Sequence, residues 1–351
     1  MKTNYLGENL VFIISQPRSG STLLQRVLAG HPDIQTSAET WLMLQPIYGL
    51  RPDKVDVEYG SRWAASAINE YLTNYTDPKA TVYDDAIRAW AQVMYNASLE
   101  HGGKRIFLDK TPRYFFIIPD LYRLFPKAKF IFLLRNPLAV LASELTTYVK
   151  DDWTIIGTFK PDLVDAPQLI LDGIKTVGTD AIVVNYEQFV SNPDEQLQSL
   201  CTALEIDFHE SMLSYDNTPA PVGKMNDPVG IHQHKKPSVA SLDKWKKLLD
   251  NPQHLHFAQS YLKELGPEVI NAMGYKYDDL QATLNQKQVD TRKLFPWRLA
   301  LKPTVKLKFK ERVYIDLYFL KAAHGPIKGT LSYLNKICSK LWKKIKNNVT
   351  R

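Results

Sequence analysis

The sequence predicts an α/β fold of three layers, α/β/α, with a central parallel sheet and a helical extension at the C-terminus. Three observations predict it. Short apolar runs of strand length alternate with amphipathic helical patterns, as parallel βαβ units require. A polar loop with the composition of an anion-binding turn joins the first strand to the first helix. Residues 301–351 are strongly basic and show a helical apolar spacing.

The chain has 351 residues, enough for one large α/β domain or two small ones, and its 44% hydrophobic and 23% charged content is ordinary for a globular protein. The two cysteines, Cys201 and Cys338, have no paired spacing, which argues against a disulfide framework or a zinc site. The N-terminus lacks a signal-peptide pattern, and the apolar run 10–14 is too short to span a bilayer. We therefore expect a cytoplasmic protein.

The first strand is predicted over residues 10–14, and helical spacing resumes at residues 23–28. Between them lies the loop of residues 15–22, Ser-Gln-Pro-Arg-Ser-Gly-Ser-Thr. Backbone N–H groups at a helix N-terminus attract anions, Gly20 allows close backbone approach, and Arg18, Ser21 and Thr22 offer donors. The loop is P-loop-like, but it lacks the lysine of a Walker A motif. It therefore predicts an anion site other than a Mg²⁺-bound triphosphate, with a plain strand-to-helix turn as the alternative.

Residues 30–35 have turn composition, and Glu39 follows them. A carboxylate beside an anion loop is a candidate general base. A helix cap or a surface residue is an equally good interpretation of this glutamate from the sequence alone.

Residues 62–99 show two helical apolar faces, which predict a core-facing helical layer or lid support. The faces consist of Trp63, Ala67, Ile68 and Leu72, and of Ile87, Trp90, Ala91, Met94, Tyr95 and Leu99.

Further strands are predicted over residues 105–108, 130–134 and 181–184, and polar residues follow each of them. Because ligands bind at the carboxyl ends of parallel strands, Lys110, Arg135 and Tyr186 are candidate site residues. Pro137 opens a helix that contains Ser143, which with Arg135 could converge on a second anion. A surface ion pair is the alternative for Arg135.

Helices are predicted over residues 166–177, 193–204, 241–249 and 257–272. Residues 216–234 are polar and rich in Pro, Gly and His, which predicts a long functional or mobile loop.

Together these motifs resemble the sulfotransferase superfamily, which transfers a sulfuryl group from 3′-phosphoadenosine 5′-phosphosulfate (PAPS). The resemblance is closest to the bacterial branch similar to tyrosylprotein sulfotransferases. The matching motifs are residues 16–24, 109–112, 132–143 and 186–188, and the likeness covers roughly residues 10–250.

The resemblance implies a role for each matched residue. Arg18, Ser19, Gly20, Ser21 and Thr22 would bind the 5′-phosphosulfate. The 3′-phosphate would be bound by Arg135 and Ser143, with Thr147 standing where the tyrosylprotein branch has a second arginine. The nucleotide would be contacted by Tyr186 and covered by Lys236 or its neighbour Lys235.

For catalysis, the resemblance implies Glu39 as the general base. His232 or His234 of the long polar loop is the next candidate if Glu39 does not have this role. It implies that Lys110 and Arg18 stabilise the sulfuryl group in flight. No metal is expected, because PAPS carries its own activation.

The tail differs in charge from the rest of the chain. Residues 301–351 hold thirteen Lys/Arg and two acids, a net charge of +11 against +7 for the whole, so residues 1–300 carry −4. We therefore predict a sulfotransferase domain over 1–300 and a basic amphipathic extension over 301–351. The extension would lie on an anionic membrane surface, dock a partner, or pack on the body of the protein. We expect no nucleic-acid binding, because aromatic residues are not interleaved with its charges.

The expected acceptor is a hydroxyl group of a glycan or glycolipid. A small metabolite or a carrier-bound acyl group is the alternative within the same class. A small-molecule kinase with a degenerate P-loop is the alternative from another class. The expected location is the cytoplasm, at the inner face of the membrane if the extension binds lipid.

Overall fold

The computed structural model describes residues 5–55, 57–77, 81–150, 152–213, 239, 242–286, 290–302 and 308–349. Its centre is a five-stranded sheet in the order β2-β3-β1-β4-β5, with every neighbouring pair parallel. The strands are β1 (Leu10–Ser15), β2 (Ile34–Thr36), β3 (Ile106–Lys110), β4 (Lys129–Leu134) and β5 (Ala181–Asn185). The predicted α/β fold with a central parallel sheet is confirmed.

Fifteen α-helices lie among the described residues. They are α1 (Ser21–Ala29), α2 (Leu44–Tyr48), α3 (Ser61–Tyr75), α4 (Val82–Gly102), α5 (Ile118–Leu124), α6 (Pro137–Glu144), α7 (Ala166–Val177), α8 (Tyr186–Ser191), α9 (Pro193–Leu204), α10 (Lys244–Leu248), α11 (Pro252–Ala272), α12 (Tyr277–Asn285), α13 (Trp297–Ala300), α14 (Phe309–His324) and α15 (Pro326–Val349). Two π-helical turns, Leu145–Val149 and Pro161–Asp165, lie near the carboxyl edge of the sheet.

Helices cover both faces of the sheet because its central strands are largely apolar. Every residue of β1 is buried. On one face Phe12 and Phe130 pack with α4, α5 and α7, and their ring centroids lie 5.4 Å apart. On the other face Ile13 and Ile131 pack with α1, α8 and α9. These are the three layers that the sequence predicts.

A separate apolar cluster lies beyond the sheet, between α6, α11 and the C-terminal helices. Ile315 of α14 is buried in it, so α14 packs on the body of the protein. Helix α15 packs on α14. The boundary at residue 300 stays a prediction. None of the described helices combines the length and apolar content needed to cross a bilayer.

Two sequence expectations need correction. The stretch predicted as a turn contains the edge strand β2, which is too short to show an alternating pattern. The stretch 62–99 is not one core-facing layer. Helix α4 buries Ile87, Ala91, Tyr95 and Leu99 as expected, but it leaves Trp90 and Met94 exposed. Helix α3 buries only Ala65 and leaves Trp63 80% exposed. The reason is that α3 packs against the short turn Pro52–Lys54 rather than under another layer.

Candidate active site

All five strands end at one edge of the sheet, and each end leads to one predicted site residue. Arg18 follows β1, Glu39 follows β2, Lys110 ends β3, Arg135 follows β4 and Tyr186 follows β5. Since β1 is flanked by β3 and β4, this edge contains the switch point at which ligands bind in open parallel sheets. The fold therefore gathers residues that are far apart in sequence.

The loop after β1 turns sharply into α1. Arg18 and Gly20 both adopt left-handed conformations, with φ of 65° and 91°. No described side chain caps α1, and its first turn contains no acidic residue. The first N–H groups of a helix have no partner within the helix, so this end can bind an anion. Ser21 is buried and Thr22 half-buried at this helix start.

Glycine is required at position 20 by a close contact as well as by its backbone. A Cβ atom there would lie 2.3 Å from the ring of Tyr186. That ring also supports Arg135, whose guanidinium carbon lies 4.1 Å from the ring centroid. The anion loop and the end of β5 are thus one packed unit.

Arg18 lies between the two residues predicted to bind a second anion. Arg135 Nη1 donates to the carbonyl oxygen of Arg18 at 3.0 Å. Arg18 Nε donates to Ser143 Oγ at 3.1 Å. The structure therefore brings Arg135 and Ser143 to one place through Arg18.

Three polar atoms that can donate are buried around this loop without a hydrogen-bond partner among the described residues. They are Ser15 Oγ, Ser19 Oγ and Arg135 Nε. Buried polar groups in folded proteins are nearly always hydrogen-bonded. Ser19 Oγ and Arg135 Nε lie beyond the ends of their strands and can donate to an anionic oxygen, so their chemistry fits a phosphate or sulfate group.

Glu39 and Lys110 form an ion pair with 2.9 Å between Oε1 and Nζ. Lys110 is only 2% exposed, and its strand position lies opposite Ile13 of β1. The second carboxylate oxygen of Glu39 accepts a hydrogen bond from Trp41 Nε1 at 3.3 Å. Trp41 itself has a left-handed backbone with φ 52°. Each carboxylate oxygen of the candidate base therefore accepts one hydrogen bond.

The buried carboxylate of Asp109 holds the residues next to this ion pair in place. The sequence motif at residues 109–112 contains Asp109 but indicates no role for it. Burial raises its pKa in spite of four hydroxyl donors. The donors are Tyr95 at 2.7 Å, Tyr114 and Thr40 at 2.9 Å, and Thr111 at 3.1 Å. Because Thr40 follows Glu39 directly, this network holds the backbone of the candidate base.

Two more buried carboxyl groups lie behind the anion loop, and sequence reasoning missed both. Asp162 pairs with Arg113 at 2.7 Å, and its carbonyl oxygen accepts from Gln16 Nε2 at 3.0 Å. Glu144, next to Ser143, has no hydrogen-bond partner for either carboxylate oxygen among the described residues. Burial and the nearby Asp162 raise the pKa of Glu144 to about 8, against the opposing charge of Arg18.

Glu187 joins the ends of β4 and β5. It accepts from the backbone N–H of Asn136 at 3.0 Å and from the hydroxyl of Tyr275 at 2.6 Å. The predicted motif at residues 186–188 therefore contributes Tyr186 to the site and a structural clamp behind it.

Some predicted residues remain untested. Lys235, Lys236, His232 and His234 lie outside the described residues. Thr147 lies in the π-helical turn Leu145–Val149. Within the described ranges, no group of three or more His, Cys, Asp or Glu side chains is arranged to hold a metal ion.

Comparison with known proteins identifies relatives. A family model described as "Sulfotransferase family" matches residues 10–210. The nodulation protein NoeE of Sinorhizobium fredii is 31% identical over 225 residues, which cover 56% of this chain and 50% of that protein. A putative protein-tyrosine sulfotransferase of Caenorhabditis briggsae is 25% identical, over 63% of this chain and 74% of that protein. The chain thus spans half the length of the nodulation protein.

A solved structure has the same architecture. The sulfotransferase domain of the olefin synthase from Synechococcus PCC 7002 matches with a TM-score of 0.50 and 27% sequence identity. The match covers 70% of this chain and 90% of that domain. It confirms the predicted fold class.

Proposed function

The chain belongs to the sulfotransferase family, and on that premise we propose that it is a PAPS-dependent sulfotransferase that acts on an acceptor hydroxyl. The observation that carries the proposal is the Glu39–Lys110 ion pair beside the anion loop. Its carboxylate can take a proton, and its ammonium can meet the negative charge that develops on a transferred group. Both are needed for transfer to a hydroxyl.

The residues around the loop fit the donor. The loop from Arg18 to Thr22 would bind the 5′-phosphosulfate, and the unpartnered Ser19 Oγ supports this. The 3′-phosphate would be bound by Arg135 and Ser143, with Tyr186 against the nucleotide and Lys236 closing over it. The buried and unpartnered Arg135 Nε supports this second anion site. PAPS supplies a sulfuryl group that its phosphate leaving group already activates.

In the proposed reaction the acceptor oxygen forms a bond to sulfur while the bond from sulfur to the phosphate oxygen breaks. The electron pair leaves with 3′,5′-ADP, and Glu39 takes the proton of the hydroxyl. Lys110, Arg18 and the loop N–H groups stabilise the charge on the leaving oxygen and the sulfuryl oxygens. No residue forms a covalent intermediate, so catalysis consists of positioning and charge stabilisation.

The resting ion pair sets a condition on this mechanism. Lys110 Nζ donates to Oε1 of Glu39, so an acceptor hydroxyl must share this carboxylate with the ammonium. An anionic donor group beside the loop gives the ammonium a second partner. Donor binding would therefore draw Lys110 away and release the base.

We propose a hydroxyl of a glycan or glycolipid as the acceptor, with a small metabolite or a carrier-bound acyl group as the alternative. The support is Trp41, whose indole lies beside Glu39 and is held there by its own N–H. A flat aromatic wall without charge suits an uncharged ring that carries hydroxyl groups. Incubation with labelled PAPS and separated glycan, lipid, protein and metabolite fractions identifies the acceptor class.

We place the protein in the cytoplasm, because its cysteines Cys201 and Cys338 are both unpaired.

The activity is tested by calorimetry and by transfer of labelled sulfate. The protein should bind 3′,5′-ADP without Mg²⁺. Glu39→Gln should lower transfer by about 10²–10⁴-fold, the range for a lost general base, with little change in 3′,5′-ADP affinity. The exposed Glu58→Gln is the matched control and should keep full activity.

Two results would contradict the proposal in different ways. Tighter binding of Mg²⁺-ATP than of 3′,5′-ADP would favour the kinase alternative. Full activity of Glu39→Gln with normal 3′,5′-ADP binding would leave the donor site intact and remove Glu39 as the base.

A further inference from the structure

Helix α15 carries an apolar face that the described part of the protein does not cover. Ile327, Leu331 and Leu334 are 76%, 56% and 51% exposed. With the exposed Cys338 they are spaced by four, three and four residues, which places all four on one side of a helix. We name these four residues the α15 stripe. In the sequence the same spacing continues with Leu341 and Ile345.

The opposite side of α15 already has a packing partner. Tyr333 is buried, and a Cβ atom at Gly329 would lie 2.4 Å from the carbonyl oxygen of Leu320 in α14. The helices therefore cross closely at this glycine. Lys336 also pairs with Asp316 of α14 at 3.1 Å. The side of α15 that contains Gly329 and Tyr333 packs on α14. The α15 stripe lies on the other side and can therefore contact another surface.

The hairpin of α14 and α15 is held to the body through α14. Ile315 is buried in the C-terminal apolar cluster, and the hydroxyl of Tyr318 donates to Gln253 of α11 at 3.2 Å. The α15 stripe is thus presented from a fixed support.

Charge decides which surface the stripe fits. Helix α15 contains six lysines and no acidic residue over Pro326–Val349. Two copies packed through this helix would bring lysines together, and α15 itself supplies no carboxylate to balance them. An apolar stripe on a helix that carries only positive charge is instead complementary to anionic lipid headgroups above an acyl-chain boundary.

We propose that α15 binds the surface of an anionic lipid bilayer, with the α15 stripe in the headgroup–acyl boundary and the positive charge of the helix attracted to the phosphate groups. This inference is independent of the proposed sulfuryl transfer.

The test is co-sedimentation of the full chain with vesicles of phosphatidylcholine, alone or with 30% phosphatidylglycerol. Binding to the anionic vesicles should be at least tenfold tighter and should weaken as salt rises from 0.1 to 0.5 M. Leu331→Ser with Leu334→Ser should lower binding to anionic vesicles at least tenfold. Val93→Ser, which removes an exposed aliphatic side chain from α4, should bind as the wild type does.

An unchanged far-ultraviolet circular dichroism spectrum and urea midpoint show that the double variant is folded. Equal binding to neutral and anionic vesicles, or equal binding by the double variant and the wild type, would overturn the proposal. So would concentration-dependent dimerisation of the wild type that the double variant loses, because the stripe would then be an interface between copies.

Discussion

Gly20→Ala tests whether the anion loop and Tyr186 form one packed unit. Two costs apply. The φ of 91° lies in the left-handed region, where an L-residue costs about 1–2 kcal/mol. The new Cβ would also lie 2.3 Å from the Tyr186 ring, and overpacking of this kind costs about 1–3 kcal/mol. We therefore expect the free energy of unfolding to fall by about 2–5 kcal/mol, because the two costs act together.

The chain contains a control that separates the two costs. Gly103 has φ of 62°, and a Cβ atom there would meet nothing within 4 Å. Gly103→Ala should therefore show the backbone cost alone, about 1–2 kcal/mol. The difference between the variants in urea denaturation reports the contact with Tyr186.

Donor binding gives a second measurement. A displaced Tyr186 ring moves the surface against which Arg135 lies at 4.1 Å. We expect Gly20→Ala to weaken 3′,5′-ADP binding at least tenfold in calorimetry, and Gly103→Ala to leave it unchanged. Tyr186→Ala in the Gly20→Ala background should reduce the stability cost of Gly20→Ala to that of the control. Equal costs for the two glycine variants, or no such reduction, would refute the packing argument.

Three further predictions concern residues around the site. Glu144 has its pKa raised from 4.5 to about 8, so the folded state keeps a proton that the unfolded chain loses. Stability from this group is full below pH 4.5 and is lost as the pH rises to about 8, by up to ~1.4 kcal/mol per pH unit. Glu144→Gln should flatten this part of the profile of urea midpoint against pH, and an unchanged slope would contradict the assignment. Asp109→Asn changes the acceptor shared by four hydroxyl groups and should cost about 2–4 kcal/mol in urea denaturation, while the exposed Asp290→Asn should cost under ~0.5 kcal/mol. Trp41→Phe keeps the ring but loses the N–H to Glu39, so it should lower kcat with little change in the acceptor KM, whereas Trp41→Ala should raise KM as well; the reverse pattern would remove the indole as a support for the base.

The sequence predicts the sheet well, and the reason is physical. Central parallel strands are buried on both faces, so β4 is continuously apolar from residue 130 to 134, a pattern that turns do not show. Helices α7 and α9 match their predicted bounds because each has Pro in its first turn and a sharp change in pattern at its end. The edge strand β2 has three residues, too few to show any period.

The sequence predicts which site residues lie at the strand ends, but it does not predict which of their side chains contact one another. Arg18 and Ser143 are 125 positions apart, and no local pattern predicts that their side chains meet. The hydrogen bonds to Asp109 come from residues of separate elements, among them α4 and the loop after β2. The position of Asp109 in its sequence motif therefore does not reveal that four hydroxyl groups donate to it. Glu144 lies in a short helix in which a glutamate predicts an exposed position, and only the tertiary packing buries it.

The ion pair at Glu39 implies an order of binding. Lys110 Nζ donates to Oε1 of Glu39 at 2.9 Å, so an acceptor hydroxyl that arrives first must compete with this ammonium for the carboxylate. A donor that arrives first offers Lys110 an anionic partner and relieves this competition at Oε1. Acceptor affinity should therefore be at least tenfold higher with donor bound, and 3′,5′-ADP should inhibit competitively against PAPS but noncompetitively against the acceptor. Lys110→Met should remove the order while slowing transfer. Equal acceptor affinity with and without donor in the wild type would show that the ion pair does not guard the base.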